Sequence, residues 1–265
     1  MKQKTIAISK NFKGISLHYG TDVSIEFHPA DPNKGVLFLH NGKRISATIE
    51  NVLSTDRGTN VGGIGTVEHV LSAINGLGID NVEIVVNGDE MPAGDGSSKL
   101  FFDLLNSAGF VEQKEPKRMI FLKEEILIES NGARISAFPQ DHLSIEAAID
   151  YPHAIVGKQT AEFDENINSF GEHIAPARTF GLLSEVEELK KRGLAKGASF
   201  ENAVAILDSG YSSPLRFPNE LARHKILDIM GDIVLAGKKI NARIVSEKAG
   251  HKLNIELVRR IINAS

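Results

Sequence analysis

No cysteine occurs anywhere in the 265 residues. Disulfides and thiolate metal sites are therefore excluded, and any metal must be held by His, Asp or Glu. No apolar run approaches the roughly 20 residues of a membrane span, and the opening "MKQKTIAISKNFKG" is charged and lacks the apolar segment of a signal peptide. A cytoplasmic location is the expectation. There is no long Lys/Arg run either, and the formal net charge is −4. A nucleic-acid surface needs clustered cations, so no nucleic-acid partner is expected, although a local basic pocket remains open. Low-complexity tracts and short tandem repeats are missing too. What is present is 42% hydrophobic content, enough for a real core in one large domain or two compact ones.

Alternation of Val23, Ile25 and Phe27 in "VSIEFHPA", and of Val82, Ile84 and Val86 in "NVEIVV", reads as half-buried strands. Helical spacing links Val67, Val70, Leu71, Ile74 and Leu77, and recurs in "SSKLFFDLLNSAG", which stops at Gly109. Residues 111–118, "VEQKEPKR", break both periods and contain Pro116, which makes them the linker candidate between residues 1–111 and 119–265. Further strands follow in "MIFLKEEILIE", "ARISAFP", "LSIEAAIDY" and "NARIVS". The class is α+β. An internal echo joins "TVEHVLSAINGLGIDNVEIVV" to "ELARHKILDIMGDIVLAGKKINARIV": each runs from a His near a helix start, through glycines, into an alternating strand. Duplication of one unit and chance both account for it at this level.

The second of these helices carries His224, Asp228 and Asp232 in one row, opposite an apolar stripe of Ile226, Leu227, Met230, Ile233 and Val234. Such a row is ordinarily a solvated face. His and Asp four residues apart can instead direct a ring nitrogen and a carboxylate oxygen at one divalent ion. In "GTVEHVLSAI", Thr66 is a plausible N-cap, with Glu68 and His69 in the first turn; the plain reading is a capped helix with a surface His, and the chemical one is a third ligand beside a proton acceptor. His251, in the glycine-containing turn of "KAGHKLN", is either an exposed loop residue or an acid. Together, two His and one Asp would leave a zinc site with an open position, with Glu68 as base and His251 as acid.

The segments "TVEHVLSAINGLGIDNVEI", "PARTFG", "GLAKGASFENAV", "LRFPNELARHKILDIMGD" and "AGHKLN", with "GISLHYG" near the start, resemble in content and order the zinc-dependent UDP-3-O-acyl-N-acetylglucosamine deacetylases. These enzymes carry out the committed step of lipid A synthesis in Gram-negative bacteria. The likeness runs from Ile15 to Ile262. It implies two domains of similar topology, each a sheet packed with helices, with the helical layers sandwiched between the sheets and one Zn²⁺ where the domains meet. By motif position, His69, His224 and Asp228 match the zinc ligands and Glu68 the general base. His251 matches the general acid, and Asp232 the carboxylate that orients it and keeps it protonated. Thr179 matches the residue that contacts the carbonyl and the tetrahedral intermediate, Phe180 the aromatic against the sugar, Lys225 the diphosphate contact and Tyr151 an aromatic near uracil. Residues 181–210 correspond to an insert forming an apolar passage for the acyl chain, lined by candidates Leu182, Leu183, Val186, Ala195, Phe200 and Ala203.

The likeness also implies a small acylated UDP-sugar as partner, a monomer, and membrane contact only in the peripheral sense, through an amphiphilic substrate. The approach "NVGGIGTVEH" is glycine-rich where several relatives carry a basic residue, so the first-domain insert near residues 52–65 departs from the pattern. Two rival readings stand beside this one. A phosphate-binding protein would use "NVGGIGT" as its cradle, although the GxxxxGK[ST] pattern is missing. A metal amidohydrolase of the same chemistry would act on another acylated amine.

Overall fold

The computed structural model describes residues 1–264. Two five-strand meanders of identical order form its frame. The first runs Lys10–Ile15, Asp22–Pro29, Val82–Asn87, Val36–His40, Lys43–Ser46, and the second Ile126–Ser130, Ala133–Pro139, Lys239–Glu247, Ser144–Asp150, Lys158–Asp164. Met119–Phe121 adds a sixth, parallel strand beside Lys239–Glu247. In each meander two hairpins form first in sequence, and the strand that follows a helix is inserted between them. Val82–Asn87 lies antiparallel to Asp22–Pro29 and parallel to Val36–His40; Lys239–Glu247 lies antiparallel to Ala133–Pro139 and parallel to Ser144–Asp150. The sequence echo is thus a repeat of one topological unit.

The alternation seen in the sequence is realised: Val23, Ile25 and Phe27, and Val82, Ile84 and Val86, are all buried. Two hairpins turn on Asn-Gly pairs, Asn41–Gly42 and Asn131–Gly132, with all four residues at positive φ. That conformation matches the twist of paired strands and selects these residue types.

Six helices accompany the sheets: α1 (Glu68–Gly76), α2 (Lys99–Ser107), α3 (Phe170–His173), α4 (Leu183–Lys191), α5 (Glu220–Asp232) and α6 (His251–Asn263). The helix α5 packs on Ser144–Asp150 and Lys158–Asp164, α6 on Ile126–Ser130 and Ala133–Pro139, and α1 packs most extensively on α5. One continuous apolar core passes from sheet to sheet through the helices. Among the described residues no helix is long and apolar enough to cross a membrane.

Residues 111–118, which break both periods in the sequence, are regular in the structure, because Phe110–Pro116 is a strand paired antiparallel with Lys2–Ile6. Most of its side chains are exposed, so neither face carries an apolar period to read. His251 is not in a turn; it is the first residue of α6, behind Gly250 as N-cap.

The α1–α5 contact is made at Gly231. A Cβ built there would overlap the backbone carbonyl of Glu68, and backbone has little room to yield. Gly231→Ala is expected to lower the stability measured by urea unfolding by about 1–3 kcal/mol. Gly181→Ala, where an added Cβ meets nothing within 4 Å, should stay within about 0.5 kcal/mol of the parent.

Candidate metal and catalytic site

Because α5 is covered by α1 on one side and by the second sheet on the other, its polar row is buried. His224 and Asp228 are each 3% exposed and Asp232 is 0% exposed. The solvated-face reading is therefore overturned. From α1, Glu68 and His69 enter the same space and are buried as well.

Thr66 does not cap α1. The N-cap is Val67, and Thr66, at φ +55, turns its hydroxyl to Glu90 Oε1 at 2.9 Å. The Glu90 carboxylate also accepts the backbone N–H groups of His18 and Tyr19. This buried carboxylate therefore fastens the "GISLHYG" turn to the start of α1. The glycine-rich approach is structured: Val52–Ser54 pairs with Asn60–Val61.

The start of α5 is fixed by a buried ion pair. Glu220 accepts the Arg178 backbone N–H and guanidinium at 2.8–3.0 Å and the Arg216 N–H at 2.6 Å. A buried charge of this kind is tolerated only when fully paired. The pair holds residues 177–180 against α5, and the Ala177 carbonyl accepts His224 Nδ1–H at 3.0 Å. That bond selects the His224 tautomer, leaving the Nε2 lone pair free, 3.4 Å from Asp228 Oδ1. The His69 ring stands edge-on to His224 at 5.1 Å between centroids.

One donor atom from each of His69, His224 and Asp228 lies within 4.8 Å of the other two. Asp228 Oδ1 is buried with no hydrogen-bond partner, which is costly for a carboxylate oxygen unless a cation completes it. The set fits a divalent ion. Burial and the adjacent His224 push His69 down to about 3, and burial lowers His224 too, so both rings are neutral near pH 7, the form that ligates metal. Burial would raise Asp228, but Lys225, His224 and His251 hold its carboxyl well below the usual carboxylate range. Lys225 Nζ lies 2.8 Å from Asp228 Oδ2.

Beside these three residues sit Glu68 and His251. Burial pushes Glu68 up to about 7, against the opposing pull of His251. Burial also works against a charge on His251, yet Asp232, Asp228 and Glu68 outweigh it and raise the imidazole to about 10. His251 Nδ1 donates to Asp232 Oδ2 at 2.8 Å, and its Nε2 faces Glu68 Oε1 at 3.7 Å.

A profile of the family described as "UDP-3-O-acyl N-acetylglycosamine deacetylase" matches residues 3–263. This chain belongs to that family. Relatives named UDP-3-O-acyl-N-acetylglucosamine deacetylase include those of Myxococcus xanthus, 36% identical over 271 residues, spanning 98% of this chain and 86% of that protein, and of Bdellovibrio bacteriovorus, 37% identical over 269 residues, with 98% and 89% spanned. The protein of that name from Chlamydia felis is 37% identical over 270 residues, with 98% and 96% spanned.

The remaining residues singled out from the sequence are more dispersed. Phe180 stands 6.2 Å from the His224 ring and 5.8 Å from Tyr151, edge-on to both. Thr179, next to Phe180, donates its backbone N–H to Gly96 O at 2.7 Å. In the insert, Leu182 is half-buried against the core, Ala195 is buried with its N–H 3.4 Å from His18 Nδ1, and Phe200 is 60% exposed. Sequence reasoning missed Arg178 and Glu220, Asn254, whose side-chain N–H donates to Asp232 Oδ2 at 2.9 Å, and Thr59. Only Asn254 carried a signal, as a polar residue on the apolar face of a helix.

Metal analysis of the dialysed protein is expected to find one equivalent of divalent ion per chain. His224→Ala and Asp228→Ala should each lose it, while Lys225→Ala, which removes no donor atom of the set, should retain it.

Proposed function

We propose that this chain is the zinc-dependent deacetylase that removes the N-acetyl group of UDP-3-O-(3-hydroxyacyl)-N-acetylglucosamine, releasing acetate and the free amine in the committed step of lipid A biosynthesis. The observation that carries the reading is the joining, at the α1–α5 contact, of a three-residue set able to hold a metal ion to a buried carboxylate, Glu68, and an imidazole tied to a second carboxylate. His69, His224 and Asp228 would hold the zinc, which when bound supplies Lewis acidity toward an amide carbonyl and toward water.

Glu68 takes a proton from the attacking water at the oxygen that faces the site. His251 carries its proton at Nε2, 3.7 Å from Glu68, and delivers it to the departing amine. Asp232 holds the other ring nitrogen, so the ring cannot turn that proton away. Thr179 lies beside the carbonyl and Phe180 against the sugar. Lys225 spends one ammonium hydrogen on Asp228 and keeps others for the diphosphate, with Tyr151 toward the uracil. Residues 181–210 shelter the acyl chain along Leu182 and Ala195, with Phe200 at the outer end. The two domains, 1–111 and 119–265, contribute to one site within one chain, so a cytoplasmic monomer suffices.

Acetate release from that substrate should vanish with chelator and return with zinc. Turnover on a different acylated amine with none on this one would overturn the assignment. Glu68→Gln should lower kcat by about 10²–10⁴-fold with the metal retained. The rate must rise as Glu68 ionises and fall as His251 loses its proton. The resulting bell has its ascending limb at or below pH 7 and its descending limb at or below pH 10, since a cation at the ligands lowers both groups from about 7 and about 10. A rate flat through the alkaline range would remove His251 as the acid.

A further inference from the structure

Thr59 lies in the loop between Ser54 and Asn60 and is 0% exposed. Every polar atom it has is engaged with the site. Its N–H donates to Glu68 Oε2 at 2.9 Å, its carbonyl accepts the Val67 N–H at the start of α1 at 3.1 Å, and its hydroxyl lies 2.6 Å from Asp232 Oδ1 and 3.2 Å from His251 Nδ1. The hydroxyl has one hydrogen to give. His251 Nδ1 already donates to Asp232 Oδ2, so it offers no lone pair, and the hydrogen goes to Asp232 Oδ1.

We propose that Thr59 is a positioning residue for the reaction, clamping the base and the acid's carboxylate partner in one geometry. The inference rests on the function proposed above. Without the hydroxyl, Asp232 is held only at Oδ2, by His251 and Asn254, and its carboxylate can swing about that point, carrying the imidazole with it. With it, both oxygens are fixed. The backbone N–H pins Glu68 Oε2, which leaves Oε1 as the oxygen facing His251. The γ-methyl of Thr59 restricts χ1, so the hydroxyl is aimed before any substrate arrives. The neighbouring Gly58 brings the backbone close to the base, since a Cβ there would sit 3.0 Å from Glu68 Oε1. The segment is anchored from outside by Arg57–Glu185 at 3.1 Å and Asp56–Arg192 at 2.5 Å.

The test compares Thr59→Val, which keeps the shape and loses the hydroxyl, with Thr59→Ser, each alone and with Asp232→Asn. The expected result is a kcat lower by about 10- to 100-fold for Thr59→Val, KM within about threefold because the hydroxyl is buried and spent on Asp232, and recovery of most of the loss in Thr59→Ser. Against Asp232→Asn, the same Thr59→Val change should cost less than about twofold. Equal losses for Val and Ser, or losses that multiply with Asp232→Asn, would overturn the clamp. Should the valine variant not fold, Thr59→Ala against Thr59→Ser decides in the same way. The His251 Nδ1 proton, followed by NMR, gives a readout free of turnover. It should be protected from exchange in the parent and in Thr59→Ser and exchange-broadened in Thr59→Val, and an unchanged signal in Thr59→Val would also overturn the proposal. A parent protein inert on the substrate, with this NMR pattern intact, would sink the substrate assignment and leave the clamp standing.

Discussion

The contact of Gly231 on the backbone of Glu68 is the constraint on which the rest depends. Two helices can approach this closely only where one lacks a side chain, and at this point α5 does. The closeness places the first turn of α1 beside the last turns of α5, and so brings Glu68 and His69 into one space with His224 and Asp228. The two sheets act as matching platforms for this crossing: each inserts its helix-following strand between two hairpins. Equivalent elements of a repeated fold thus carry different side chains into the site, since α1 brings Glu68 and His69 while α5 brings His224, Asp228 and Asp232.

Three carboxylates share a buried space with three imidazoles and one ammonium, and their different neighbours set them apart. Glu68 has one backbone donor, from Thr59, at Oε2 and is otherwise deeply buried, so despite the His251 ring facing Oε1 it stays weakly acidic and can take up a proton. Asp228, ringed by Lys225, His224 and His251, keeps its charge and leaves one oxygen unpaired. Asp232 has donors at both oxygens, Thr59 at Oδ1 and His251 and Asn254 at Oδ2. The same logic separates the imidazoles: burial lowers His69 and His224, which lose their protons, whereas the carboxylates around His251 outweigh its burial and it keeps its own. Buried groups with opposite displacements from their ordinary ranges are what acid–base chemistry requires.

The strands built on Val23, Ile25 and Phe27, and on Val82, Ile84 and Val86, were legible because one face is buried and alternation records it. The row of His224, Asp228 and Asp232 was legible as spacing, but its burial was not, because covering a polar face is a tertiary event that a single helix does not encode. Family motifs, far more than periodicity, pointed to the catalytic set. The strand Phe110–Pro116 went unread because it is exposed on both faces. Thr66 looked like a cap because residue type and position agreed, yet its positive φ and the Glu90 carboxylate took its hydroxyl elsewhere. Thr59 left no local trace at all: its partners lie in α1, α5 and α6, and a loop has no period.

Thr59 and Asp232 are 173 residues apart in the chain, and Thr59 and His251 are 192 apart. Contacts of such separation form late, after the loop-closure entropy between them has been met. During synthesis the first sheet can fold while α1 still shows Glu68 and His69 to solvent, and only emergence of the last quarter of the chain covers them. The arrangement of the site therefore needs both halves of the chain folded and docked, and a local opening that parts α1 from α5 disperses it.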